Sequence, residues 1–182
     1  MPELKTVYGS AMAPGPLRCA VNGMIWPFMH MAIHAANLAS VMTGFEHNPF
    51  LHSLGAVIQS WGDGKIVLSM DLRPQHLNRQ GALQGGVVCA LLDAACGYSG
   101  LVPQMDDSQG NAVTISLAIN FIGSVTGGQV IATGTVTGRG RKIYFARAEV
   151  CTPDGRILAS AQGSFKYGGP QLMASSSTES PA

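Results

Sequence analysis

His76-Leu-Asn-Arg-Gln-Gly-Ala-Leu-Gln-Gly-Gly-Val-Val-Cys-Ala-Leu-Leu-Asp-Ala-Ala-Cys-Gly97 is the stretch on which the fold turns. Its first half is polar and glycine-rich, and Gly81, Gly85 and Gly86 permit backbone conformations and close approaches that a side chain would block. From Val87 onward it is apolar on every side, the mark of a helix wrapped by protein. One carboxylate, Asp93, interrupts the apolar run, and no other formal charge falls between Arg79 and Asp106. An acid in such surroundings loses hydration, so it needs a partner or a purpose. Two readings compete: Asp93 shapes the fold through hydrogen bonds, or it is a catalytic base or nucleophile. The Gly-Gly pair at the helix start leaves the first amides unshielded, and such amides favour an anion or a developing oxyanion. A carboxylate two turns further on makes attack on a polarised carbonyl a plausible chemistry.

Outward from this stretch the chain reads as strands. Before it, Leu54–Trp61 and Lys65–Leu72 flank Gly62-Asp63-Gly64, a hairpin signal, and Leu68, Met70 and Leu72 alternate with Val67, Ser69 and Asp71. After it comes a polar loop, Gln104–Asn111. Four more strands follow, over Ala112–Ile122, Gln129–Thr137, Ile143–Cys151 and Arg156–Tyr167, separated by glycine-rich turn signals. A helix apolar all round needs a sheet curved about it, which is an α+β arrangement with one helix at the centre. Residues 1–23 are punctuated by Pro and Gly and read as a flexible N-terminus. Residues 24–48 read as an N-terminal helix after Pro27, residues 49–167 as the main domain, and residues 168–182 as a disordered tail rich in Ser, Pro and Gly. The uncharged run 24–43 is long enough to span a bilayer, but Pro27, His30, His34 and Asn37 oppose that. An amphipathic helix packed on the domain or on a partner subunit is the better reading; membrane contact is the minority one.

Composition excludes several classes. Charged residues make up 12% and hydrophobic residues 46% of the 182, so the chain is globular rather than disordered. A net charge of +1 without a basic stripe excludes a nucleic-acid binder. The four cysteines (19, 89, 96 and 151) form no CxxC pair, and free thiols without a signal peptide point to the cytoplasm. Cys89 and Cys96 lie on an apolar helix with no basic neighbour, which disfavours a catalytic thiol. His30 and His34 have metal-binding spacing but lack a second ligand pair. No P-loop, dinucleotide fingerprint or metal cluster occurs, so neither cofactor nor metal is expected.

The run Asn78-x-x-Gly81-x-x-Gln84-Gly85-Gly86-x6-Asp93, followed by strands of this length, resembles the hotdog-fold acyl-CoA thioesterases of the PaaI (phenylacetate-degradation) type. In that family the run is usually Asn-x-x-Gly-x-x-His-Gly-Gly-x6-Asp. The resemblance implies a curved antiparallel sheet wrapped around the helix over about residues 50–167. It implies Asp93 as base or nucleophile and Gly85, with Gly86, as donor of the amide that polarises the thioester carbonyl. Asn78 would place substrate or water, with a turn residue as its alternative. Thr114 would hold the water; by itself it is a β-branched strand residue. The family pairs subunits edge to edge, so that Asp93 of one faces Gly85 of the other, and pairs often form tetramers.

Gln84 stands where the family usually has His. An amide can orient through hydrogen bonds but cannot shuttle a proton near neutrality. Orientation suffices if the leaving thiolate is protonated by water. The basic hairpin Arg139-Gly140-Arg141-Lys142 is either a solvated turn that keeps a sheet edge soluble or, as the resemblance favours, a clamp on the phosphates of coenzyme A. The expectation is a cytoplasmic thioesterase that cleaves an acyl-CoA to free acid and coenzyme A. The alternative is a non-catalytic acyl-CoA or acyl-carrier binding module.

Overall fold

The computed structural model describes residues 48–101 and 111–168. The expectations for residues 1–47 and for the tail beyond Gly168 fall outside them.

Strand alternation decides where the core lies. Ile66, Leu68 and Met70 project from one face of β2 (Lys65–Asp71) and are fully buried. β1 (Ala56–Gly62) pairs with it through the two-residue turn Asp63-Gly64. Both turn residues have positive φ (50° and 72°), the geometry for which Asp-Gly is favoured. β3 (Ala112–Phe121), β4 (Gln129–Arg139), β5 (Ile143–Cys151) and β6 (Ile157–Tyr167) complete one six-stranded sheet. Its order is β1-β2-β4-β5-β6-β3, with every neighbouring pair antiparallel. The hotdog architecture expected from the sequence is therefore present, and among the described residues β1 and β3 are the outer strands.

Two expectations need correction. Leu54 is not a strand residue but ends a short helix, α1 (Pro49–Leu54). Asn48 caps it, its Oδ1 accepting from Leu51 N at 3.1 Å, and Pro49 follows at the first helical position. Gly55, with φ 71°, ends it, and β1 begins one residue later. The second correction concerns the central helix, α2 (Gly85–Leu101). It is not wrapped on every side. Val88, Leu91, Leu92, Ala95, Cys96 and Ser99 are buried, whereas Gly86, Cys89, Ala90, Asp93 and Gly97 form a partly open stripe. All but one of the residues in that stripe are small, so sequence hydropathy does not distinguish it from the packed side.

The packed side is close. A Cβ built on Gly134 of β4 would overlap the carbonyl of Ala95, so glycine there lets helix and sheet backbones touch. Burying Leu91 and Leu92 against the sheet contributes about 1.5–3 kcal/mol each. Among the described residues no helix is long and apolar enough to cross a membrane.

Candidate active site

The loop before α2 is held by its own backbone. Leu77 and Leu83 form an isolated antiparallel bridge, and Asn78 N donates to Ala82 O at 2.7 Å. The Asn78 side-chain oxygen accepts from Gln80 N (2.9 Å) and Ala82 N (3.1 Å). Of the two roles expected for Asn78, the turn role is the one its Oδ1 performs here. Gln84 N donates to His76 O at 2.9 Å, and the Gln84 carbonyl accepts from Val87 N and Val88 N at 3.0 and 3.2 Å. Gln84 is thus the residue that caps α2, with its side chain exposed. Gly85 and Gly86 follow as the first two helical residues, whose amides have no carbonyl one turn back to bond.

His76 braces this loop from below. Its side chain is buried, and Nδ1 accepts from Arg73 N at 3.1 Å. Burial, helped by the nearby Arg73 guanidinium, lowers its pKa from the usual 6.5; a backbone interaction with Asp71 opposes the shift without cancelling it. The imidazole is therefore held neutral. Sequence reading passed over His76, since a lone histidine before a glycine-rich loop carries no distinguishing signal.

Two turns into the helix, Asp93 is half-exposed rather than buried. Thr114 of β3 donates its hydroxyl to Asp93 Oδ1 at 2.8 Å. The two residues expected to work together are thus in contact, one on the open stripe and the other on the edge strand. One turn further, Cys96 is buried, and burial plus the Asp93 charge pushes its thiol up to about 12. A thiol held protonated is no nucleophile, in line with the sequence reading. Cys89, Cys96 and Cys151 are in no disulfide among the described residues.

Gly85 and Asp93 of one chain are not close. Eight residues at 1.5 Å rise separate them by about 12 Å along the helix. A single carbonyl cannot meet both at hydrogen-bond distance. Where a side chain would stand on Gly85 lies an aromatic ring: a Cβ built there would be 3.5 Å from Cε1 of Phe121, the last residue of β3.

The basic hairpin divides. Arg139 Nη1 donates to Gly100 O at 3.0 Å and to the Tyr167 hydroxyl at 3.2 Å, so this guanidinium closes the C-terminal end of α2. Arg139 is nevertheless exposed, and the expected phosphate clamp over Arg139-Gly140-Arg141-Lys142 is carried forward as a proposal. Arg141 and Lys142 remain exposed beyond Gly140.

Residues 80–159 match the model of the thioesterase superfamily. Over that stretch, 80 of the 182 residues, the chain is similar to that superfamily. Over 135 residues it is 26% identical to the medium/long-chain acyl-CoA thioesterase YigI of Salmonella typhimurium, an alignment covering 67% of this chain and 87% of that protein. The Escherichia coli PaaI protein from the phenylacetic acid degradation operon has the same fold. Its TM-score is 0.63 at 23% identity, covering 70% of this chain and 89% of the other. A mutant of the phenylacetic acid degradation protein PaaI from Thermus thermophilus gives 0.57 at 25% identity, covering 65% and 98%. The domain is therefore a hotdog domain with PaaI-type relatives.

Proposed function

We propose that this chain is a hydrolase that cleaves the thioester of an acyl-CoA, and that its active site is completed by a second copy of itself. The observation that carries this reading is the Asp93 carboxylate, held by Thr114 on the open stripe of α2. With the Thr114 hydroxyl on one oxygen, Asp93 stays partly open to solvent, so its carboxylate can meet a substrate.

The chemistry follows from the groups present. The Gly85 amide, with Gly86 beside it, hydrogen-bonds the thioester oxygen and stabilises the negative charge that develops on it; one such donor is worth about 10² to 10³ in rate. Asp93 either attacks the carbonyl carbon, forming an anhydride that water then opens, or takes a proton from a water that attacks. In both routes the carbon–sulfur bond breaks, coenzyme A leaves as thiolate and is protonated, and the acyl group ends as a carboxylic acid. Thr114 orients the carboxylate. Gln84 orients by hydrogen bonding at the helix cap, and its amide moves no proton. Arg141 and Lys142 are the cations free to meet the coenzyme A phosphates.

The second copy is needed because of the separation of about 12 Å between Gly85 and Asp93 in one chain. The position of β3 as an outer strand among the described residues supports it. Val113 and Ile115 on β3 are 62% and 54% exposed, an apolar edge that a solitary domain would blunt. Pairing β3 with its copy covers that edge and brings Asp93 of one protomer toward Gly85 of its partner.

The test is release of coenzyme A thiol from short, long and aromatic acyl-CoAs, with Asp93→Asn alongside. Loss of at least about a hundredfold in the folded variant supports the reading. Binding of acyl-CoA without turnover by the unaltered protein would replace it with the binding-module alternative.

A further inference from the structure

We infer that Phe121 is the acyl-selecting wall of this site, a specificity-determining residue that limits the bulk of the acyl group next to the thioester carbonyl. The inference rests on the thioesterase reading above and adds to it a residue and a direction of selectivity.

The register of β3 puts Thr114, Leu117, Ile119 and Phe121 opposite Phe165, Gly163, Ala161 and Ala159 of β6, all on the face that meets α2. Leu117 and Ile119 pack against the core. Thr114 touches Asp93. Phe121 completes the row, and its ring lies within van der Waals reach of Gly85, 3.5 and 3.6 Å from a Cβ placed there. Yet it is 59% exposed, unlike the leucine and isoleucine that precede it. An aromatic ring that rests one edge on the helix start and leaves the rest open gains little from the core. It forms a wall beside the first turn, where the amide-bound carbonyl has to lie.

The carbonyl bonded to the Gly85 amide carries its acyl chain from a carbon one bond away, so the first atoms of that chain pass beside the ring. A flat wall accommodates a slender or planar acyl group and resists one that is branched next to the carbonyl. It also keeps water from the amide. A change of one methylene in an apolar pocket alters discrimination by about 10- to 200-fold, and truncating a ring opens more space than that.

The experiment compares kcat/KM for butyryl-CoA with that for pivaloyl-CoA, whose carbon next to the carbonyl is fully branched. The full chain is used unaltered and as Phe121→Ala, Phe121→Leu and Phe121→Trp, each checked for secondary structure and assembly. The pivaloyl-to-butyryl ratio is expected to rise at least about tenfold in Phe121→Ala, to rise less in Phe121→Leu, and to fall in Phe121→Trp. A ratio within about threefold of the unaltered protein's in both the Leu and Trp variants overturns the inference, even if the Ala variant fails to fold. Absence of turnover by the unaltered protein on any acyl-CoA overturns the thioesterase reading itself and this inference with it, and is seen before any variant is made.

Discussion

The two ends of α2 are opposites. Near the C-terminal end three side chains reach helix carbonyls: the Tyr144 hydroxyl to Gly97 O, the Arg139 guanidinium to Gly100 O, and the Ser99 hydroxyl to Cys96 O at 2.8 Å. Tyr144 is fully buried and stacks on Phe165 with centroids 5.3 Å apart, and Tyr167 leans on it at 4.8 Å. At the N-terminal end no side chain among the described residues hydrogen-bonds the Gly85 and Gly86 amides, the Phe121 ring stands beside Gly85, and Gly86 is exposed. One terminus is closed by aromatic packing and a cation placed where the helix dipole favours it; the other is left as a positive pole beside an open surface. Helices need their ends satisfied, and on the function proposed above the thioester oxygen is the acceptor that this open end lacks.

The largest effect that separates the ends is catalytic. Asp93→Asn is expected to cut kcat/KM for acyl-CoA by about 10² to 10⁴ while the urea midpoint stays close to the original, because the carboxylate is half-exposed and held by one hydroxyl. A comparable loss of stability would make Asp93 part of the scaffold and erase the contrast. Next in size is a pair of glycine substitutions. A Cβ at Gly100 would enter the Tyr144 ring, so Gly100→Ala is expected to lower unfolding free energy by about 1–3 kcal/mol. A Cβ at Gly86 meets nothing within 4 Å, so Gly86→Ala is expected to hold or raise stability, by up to about 1 kcal/mol from helix propensity. Its turnover is expected to fall about tenfold or more, since the methyl stands beside an oxyanion donor. Denaturant melts and thiol-release rates on the two variants test the comparison directly.

Much of this was legible in the sequence, and the failures have physical causes. The six strands follow from alternation and turn residues: Asp63-Gly64 sets a hairpin, and the apolar set of β2 is buried as its pattern demands. The resemblance named Asp93 as base or nucleophile and Thr114 as holder of the water, but the direct contact between them was not foreseen, since 21 residues separate them. Four features stayed hidden. Helix α1 was masked by the brevity of its six residues, too few for a period, although Asn48-Pro49 is a good start signal. The open stripe was masked because Gly86, Ala90 and Gly97 look apolar whether packed or not. Arg139 was grouped with Arg141 and Lys142 because adjacency in sequence does not say which of them turns back onto a helix end. Phe121 carried no signal beyond ending an apolar strand; only the fold places it on Gly85.

Removing the Tyr144 hydroxyl tests the closed end more gently. Tyr144→Phe keeps the stacked ring and leaves Gly97 O without its partner, for an expected loss of about 1 kcal/mol in a urea melt and no change in kcat/KM. A fall in activity instead would mean that the closed end transmits its packing along α2 to Asp93.

The smallest effect at neutral pH belongs to His76 and grows on acidification. Its pKa in the folded chain lies below 6.5, so above about pH 6.5 the imidazole is neutral folded or unfolded and adds no slope. As pH falls below 6.5 the unfolded chain binds a proton that the folded chain still refuses. Stability then declines by up to about 1.36 kcal/mol per pH unit until the lowered folded pKa is passed. Protonation would turn Nδ1 from the acceptor of Arg73 N into a competing donor, loosening the residue whose carbonyl holds Gln84 at the helix cap. Urea melts between pH 7 and 5, with His76→Gln alongside, isolate this contribution from the surface carboxylates. The unaltered chain is expected to lose more stability than the variant across that window. Equal slopes in the two proteins would show that the open end does not depend on a neutral His76, and that the loop's own backbone bonds suffice to hold Gln84 and the first two amides in place.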